Sequence, residues 1–348
     1  LSDTFKHVDH IVLDGEREEP QIRILYSPTT HRHVCWPGVE VDLNYRAVSG
    51  LYQVFKQAHR HARAIDEQAV AENLLSPDCK LLIIPTNSFA NSETQNAILR
   101  YLERGGNVLV TPDSGKYDQY GRRKDEWLSL AGVAPKPVAK PIIPLADGQR
   151  YFSSAHADAA VSLNPLFPKR TEVLRRFEDG SPALTESQVG KGKLFICGVD
   201  FGLDCFDQWL GKSQVPMALL EPVFKACDIQ RRTIMSDPNI AVRAWNYQNQ
   251  RFLLLNDTER TGVKRYDLAI LGPWSVSDYL LGLPVKTRFD GVYTHLTGAI
   301  PSPGGAILEL KKAPTAPIVA NAPVKPEVAH NAPHSSPKPK TVVFDETH

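Results

Sequence analysis

The stretch KLLIIPTNSFANSETQNAILRYLERGGNVLVTPDSG, residues 80–115, constrains the chain more than any other. Residues 81–84 form a short, unbroken apolar run, the pattern of a strand buried on both faces of a parallel sheet. Pro85 stops the run. Asn91 or Ser92 can cap the helix that follows, and Ser92 with Gln95 has the spacing of a capping box. Thr94, Ile98, Tyr101 and Leu102 then share a face that can lie on the sheet. Gly105 stands where a helix ends on a left-handed residue, and residues 107–111 return as a second strand. Together they predict a right-handed βαβ crossover. The first two thirds of the chain reads as further layers around it.

Residues 1–20 are a polar lead-in ending in GEREEP and read as a linker. Residues 22–26 are the first strand. The connection SPTTHRHVCWPGVEVDLN, 27–44, is unusually long before a helix predicted over 45–59. Connections of that length without structure of their own serve a function or contact another domain. Residues 62–65 give the second strand and the central unit follows. After it, KYDQYGRR reads as a polar loop and 124–131 as a short helix. The proline-punctuated 134–144 suits an extended edge segment. Strands are predicted at 173–177, 183–187 and 194–199, with Gly190, Lys191 and Gly192 turning the last two into a hairpin. A helix over 214–228 places Leu219, Val223 and Cys227 on one face.

Composition shifts after the turn cluster MSDPN at 235–239. Seven short segments follow (AVRAWNY, RFLLLN, RYDLAIL, SVSDYLL, VKTRF, GVYTHL and GAILEL), which predicts a small antiparallel β-sandwich. From Ala313 the chain is an Ala, Pro, Lys and His tail that cannot build a core, so it is expected to be extended or disordered and dispensable for folding. The expected division is a lead-in over 1–20, an α/β domain over 21–235, a β-sandwich over 236–312 and a tail over 313–348.

Four segments carry a resemblance: RILYS (23–27), KLLIIPTNSF, LRYLERGGNVLVTPDSG and GSPALTESQVGKGKLFICGVDFG. Over 21–229 they resemble the trimerisation domain of the barrel-type beta-galactosidases, a class I glutamine-amidotransferase-like, flavodoxin-like fold without amidotransferase chemistry. DYLLGLPV followed by PSPGGAILEL also resembles the C-terminal β-domain that ends many glycosidases. The resemblance implies a parallel sheet with helices on both faces and self-association, in that family as a trimer. It further implies a glycosidase barrel as partner, in cis or in trans, and a non-catalytic role in oligomerisation and in walling the barrel's active site.

Composition is consistent with this and excludes other classes. A length of 348 residues allows two proper cores. A net charge of +1 gives no electrostatic case for nucleic acid or an anionic membrane. No apolar run has the length of a membrane span, and no signal-peptide pattern opens the chain. LSDTFKHVDHIVL reads as the continuation of something longer. The five cysteines contain no CxxC pair, and Cys197 and Cys227 lie in apolar patterns, which favours a reducing, cytoplasmic setting over a disulfide framework.

Active members of the resembled fold place a nucleophilic Cys between glycines at a strand-to-helix elbow. The comparable turn here, residues 86–90, has neither Cys nor Gly. Ser88 is the remaining hydroxyl candidate, although a lone Ser at a turn is ordinarily a cap or turn former. A stand-alone hydrolase would use Ser88 or Cys35. His31, His33 and Cys35 alternate and would be soft metal ligands on an extended loop, but no fourth ligand is assignable, so no metal or cofactor is expected. Trp36 either lines a sugar pocket, as the resemblance implies, or packs the loop against a neighbouring subunit. Val34, Trp36, Val39, Val41 and Leu43 make an apolar strip suited to an interface. Asp113, Asp118, Asp200 and Asp204 are scattered over predicted loops, and read as caps and solvated charges rather than the close carboxyl pair of a glycosidase. A third reading is a carbohydrate- or protein-binding module whose β-sandwich carries the ligand.

Overall fold

The apolar run at 81–84 is the strand Leu81–Ile84, inside a seven-stranded sheet of the computed structural model. The structure describes residues 2–33, 43–145, 148–153, 158–162, 171–209, 217–257, 263–300 and 304–313. Expectations for Val34, Cys35, Trp36, Val39 and Val41 and for the tail from residue 314 lie outside the described residues. The strand order is Thr171–Arg176, Pro182–Val189, Gly192–Cys197, Asn107–Val110, Leu81–Ile84, Ile22–Tyr26, Ala62–Asp66. The last five run parallel, and the first two join antiparallel through the expected hairpin.

Among the described residues the α-helices are α1 (Ser2–Leu13), α2 (Pro28–His33), α3 (Leu43–Gln57), α4 (Glu67–Ala71), α5 (Ser92–Glu103), α6 (Glu126–Ala131), α7 (Phe201–Trp209) and α8 (Glu221–Ala226). Successive strand residues point to opposite faces, so each strand feeds two cores. Ile22, Ile24, Leu81, Ile83, Leu109 and Phe195 meet Leu51 and Phe55 of α3, Cys205 of α7 and Phe224 of α8. Leu25, Leu82, Ile84, Val108, Val110 and Ile196 meet Ala97, Ile98 and Leu102 of α5 and Trp127 of α6. This is why the runs read as continuously apolar. Helix α3 approaches α7 closely at Gly50, where a Cβ would stand 2.2 Å from the Phe206 backbone nitrogen.

Asn91 caps α5 by accepting from Glu93 N–H at 2.8 Å, so Ser92 is the first helical residue and not the cap. At the other end Gly105, at φ +107°, and Gly106 return their N–H groups to Leu102 and Tyr101, a Schellman closure.

Three expectations change. The connection 27–44 contains a helix, α2: its Pro28 has the fixed φ of a first helical position, and Thr29 N–H donates to the Glu67 carboxylate at 3.0 Å. The lead-in is not a linker, because α1 buries Val8 and Ile11 against Trp245, Phe252 and Ile307. The helix expected over 214–228 is the shorter α8 preceded by a 3₁₀ turn, Met217–Leu219, with Pro222 in the first turn of α8. Segment 134–144 is extended as expected. Its two parts pair off the main sheet, Val133–Pro137 with Asp158–Ser162 and Ile142–Pro144 with Arg150–Phe152.

Beyond residue 232 the described chain is all strand and turn. One sheet is ordered Glu16–Arg17, Ile240–Tyr247, Gln250–Asp257, Gly305–Lys312, Trp274–Asp278, Leu283–Pro284. The other is ordered Thr233–Met235, Lys264–Leu271, Tyr293–Ile300, Thr287–Phe289. Ile240, Leu253, Leu255 and Leu308 of the first share a core with Leu268, Ile270 and Leu296 of the second. Glu18 ties the N-terminal segment to this region, accepting from Arg232 and Arg251 at 2.8 Å each. Burial works to raise the Glu18 pKa, but the Arg251 and Arg232 charges outweigh it and hold the carboxyl below its ordinary value. Among the described residues no helix is long and apolar enough to cross a membrane.

Candidate functional site

Open α/β sheets bind ligands outside the carboxyl ends of their parallel strands, so the loops after Ile22–Tyr26, Leu81–Ile84, Asn107–Val110 and Gly192–Cys197 define the place to look. Those loops are rich in hydroxyls, amides and carboxylates, and the side chains are turned on one another. Ser27 donates to Glu67 Oε1 at 2.7 Å, while its N–H is held by Asn44 Oδ1 at 2.9 Å. Asn44 in turn donates to the Pro85 carbonyl at 2.7 Å. Thr30 Oγ1 accepts from Phe89 N–H at 3.1 Å. Ser114 Oγ donates to the Ile84 carbonyl and accepts from Asn87 N–H.

The turn that leaves Leu81–Ile84 is built on Thr86, whose φ of +44° is unusual for a β-branched residue. Its N–H donates to Thr111 Oγ1 at 2.9 Å, and its hydroxyl donates to the Asp200 carboxylate. Such a backbone costs on the order of 1–3 kcal/mol and persists only where its surroundings fix it. Here the N–H and the hydroxyl of Thr86 are both fixed. Asp200 precedes α7 and accepts from Leu203 N–H. Burial raises its pKa to about 7, the Thr86 hydroxyl opposes this, and the Asp204 and Asp113 charges add to it. Asp204, one turn into α7, accepts from Ser153 at 2.7 Å and from Tyr151. Asp200 and Asp204 are therefore buried, at 4% and 1% exposure, and not solvated loop charges. No feature of the sequence pattern distinguished them from Asp113 and Asp118.

Ser88 is half-buried, and the described residues bring neither a histidine nor a carboxylate to its hydroxyl; its carbonyl accepts from Tyr117 N–H at 2.9 Å. His33 does not join a metal-ligand set among the described residues. Its Nδ1 lies 2.9 Å from the Thr29 carbonyl, and its ring stacks on Phe89 with centroids 4.4 Å apart. Phe89 stacks on Tyr117 at 5.2 Å. Three half-buried rings thus form a ladder over the closed polar layer. The segment carrying Trp36 leaves this ladder at His33 and re-enters described structure at Leu43. Beside the ladder a cavity of about 90 Å³ is lined by Asp113, Lys116, Arg123 and Asp125, and these charges pair as Lys116 with Asp113 and Arg123 with Asp125. The described cysteines, Cys79, Cys197, Cys205 and Cys227, are buried free thiols, and burial raises the pKa of each.

Solved structures share this fold. A beta-galactosidase from Bacillus circulans sp. alkalophilus aligns at TM-score 0.66 and 16% identity, over 89% of this chain and 44% of that one. A GH42 beta-galactosidase from G. stearothermophilus aligns at 0.61 and 15%, over 84% and 40%. An alpha-L-fucosidase isoenzyme from Paenibacillus thiaminolyticus aligns at 0.58 and 12%, over 90% and 51%. At these identities the likeness shows the fold alone. The chain spans less than half the length of the two beta-galactosidases. In sequence, no curated protein matches it. Residues 42–219 match the family model of the beta-galactosidase trimerisation domain. With half its length inside that match, the chain belongs to the beta-galactosidase trimerisation domain family.

Proposed function

We propose that this chain is the non-catalytic, oligomer-forming part of a beta-galactosidase-like glycoside hydrolase, with a barrel partner in cis or in trans. In this reading residues 21–235 are a flavodoxin-like, amidotransferase-like domain that associates with copies of itself. Residues 236–312 are a small β-sandwich, and the segment carrying Trp36 walls the partner's sugar site beside the ladder of His33, Phe89 and Tyr117. The observation that carries it is the closed layer at the carboxyl ends of the strands. The hydroxyl of Thr86, at the turn where an active amidotransferase fold holds its nucleophile, is committed to Asp200. Family membership and partial coverage of the beta-galactosidases support the same reading.

Two measurements test it. The purified chain should turn over neither aryl-galactosides nor glutamine, and Ser88→Ala should change nothing; an activity abolished by Ser88→Ala or Cys35→Ala in a folded protein reverses the reading. In sedimentation over a range of concentrations the chain should self-associate, and Trp36→Ala should weaken that association. A monomer at the highest concentration removes self-association. An unaltered oligomer in Trp36→Ala removes only the loop's part in it.

A further inference from the structure

The seven-stranded sheet ends at Ala62–Asp66, which pairs only with Ile22–Tyr26; its other edge has no backbone partner among the described residues. Beside that edge α3 presents Tyr45, Val48, Ser49 and Tyr52, spaced i, i+3, i+4, i+7 and therefore one face. Strand edge and helix face line an open groove of about 580 Å³. Tyr45 is 53% exposed there, an aromatic ring that the chain's own core leaves uncovered.

The groove runs into a cleft carrying Arg17, Lys56 and Arg243. None of the three has a carboxylate within ion-pair distance among the described residues; Arg17 lies over the Trp245 ring at 5.7 Å. Arg63, on the edge strand, has Glu19 at 3.5 Å. Desolvation, followed by the like charges of Arg63 and Arg243, lowers the Arg17 pKa. Cations gathered at an open strand edge, with tyrosines alongside, combine the donors that pair an added strand with the residue types that dominate interface energetics.

We propose that this edge receives an extended, acidic segment of a partner polypeptide, which adds a strand beside Ala62–Asp66 and sets its carboxylates toward Arg17, Lys56 and Arg243. A second copy pairing through the same edge would bring two cationic clefts together, and juxtaposed like charges disfavour it. The inference does not rest on the proposed oligomer, whose loop enters α3 next to Tyr45 at one end of this groove.

The probe is a fluorescein-labelled, acetylated peptide of alternating Glu and Val, about eight residues long to match a typical strand, followed by anisotropy at low salt. It should bind the full chain, and the Lys and Val counterpart should not. N-methylation at alternate residues, which removes backbone donors and keeps every charge, should weaken binding about tenfold or more, as should the double variant Arg17→Glu, Arg243→Glu with unchanged thermal unfolding. Absence of binding by the acidic peptide overturns the proposal and leaves the cations as guards of an exposed edge. Equal binding of the methylated peptide overturns strand addition. Equal binding by the double variant overturns the location.

Discussion

Thr86 donates its hydroxyl to Asp200, a carboxylate 114 positions further along the chain, and the pair closes the turn on which the central strand ends. Asp200 carries a raised pKa of about 7 in the folded chain, against about 3.9 when unfolded. Between those values the folded state holds the extra proton, so this group removes stability as pH rises from about 4 to about 7. Asp200→Asn keeps an acceptor for Leu203 N–H without the buried charge. At pH 8 the variant should exceed the parent by on the order of 2–3 kcal/mol in urea unfolding, and the two should coincide near pH 4. Equal stability at both pH values would show that Asp200 does not hold a proton on folding.

His61 tilts the profile the other way. Burial lowers its pKa to about 4, with Glu18 opposing, against an ordinary 6.5. A group held neutral in the folded state contributes stability above its unfolded pKa and loses it as pH falls toward the folded one. In the parent the two slopes partly offset each other. Asp200→Asn should therefore become more stable with rising pH between about 4 and 6.5, and His61→Gln less stable across the same window. Parallel profiles for the two variants would reject the assignment.

Gly50 has no room for a side chain, since a Cβ would meet the backbone of Phe206 rather than a movable side-chain end. Gly50→Ala should cost about 2–3 kcal/mol by forcing α3 and α7 apart. Ala is the better helix former, so a neutral or stabilised variant would show that the helices separate freely.

Glu18→Gln leaves Arg232 and Arg251 without their shared carboxylate and should cost about 2–3 kcal/mol at pH 7. Because the folded pKa of Glu18 lies below its unfolded value, its contribution is complete above about 4.3 and fades as pH drops through the folded value. The gap between parent and variant should narrow accordingly in acid; a constant gap would assign the loss to packing.

The parallel strands were legible because two-sided burial leaves an unbroken apolar signature, as in LLII at 81–84. Gly105 was legible because few other residues suit a φ of +107°. Helix α2 was not, since PTTHRH has no apolar period and gains its cap from Glu67, far away in sequence. Helix α1 was missed for a related reason: the partners of Val8 and Ile11 are Trp245, Phe252 and Ile307, which only the fold brings near. The same limit applies to Asp200 and Asp204, whose burial depends on elements on either side of the chain.

The Glu18 clasp has a consequence for the order of assembly during synthesis. Its second arginine is made 233 residues after the glutamate. At the ordinary ribosomal pace of about 5–20 residues per second, Glu18 waits roughly 10–50 s before Arg251 exists to neutralise it. Throughout that interval Glu18 lacks its second arginine, and α1 lacks the complete apolar surface of Trp245, Phe252 and Ile307 that covers Ile11. Helix α1 is thus made well before the strands that bury it and is among the last of the described elements to find its place.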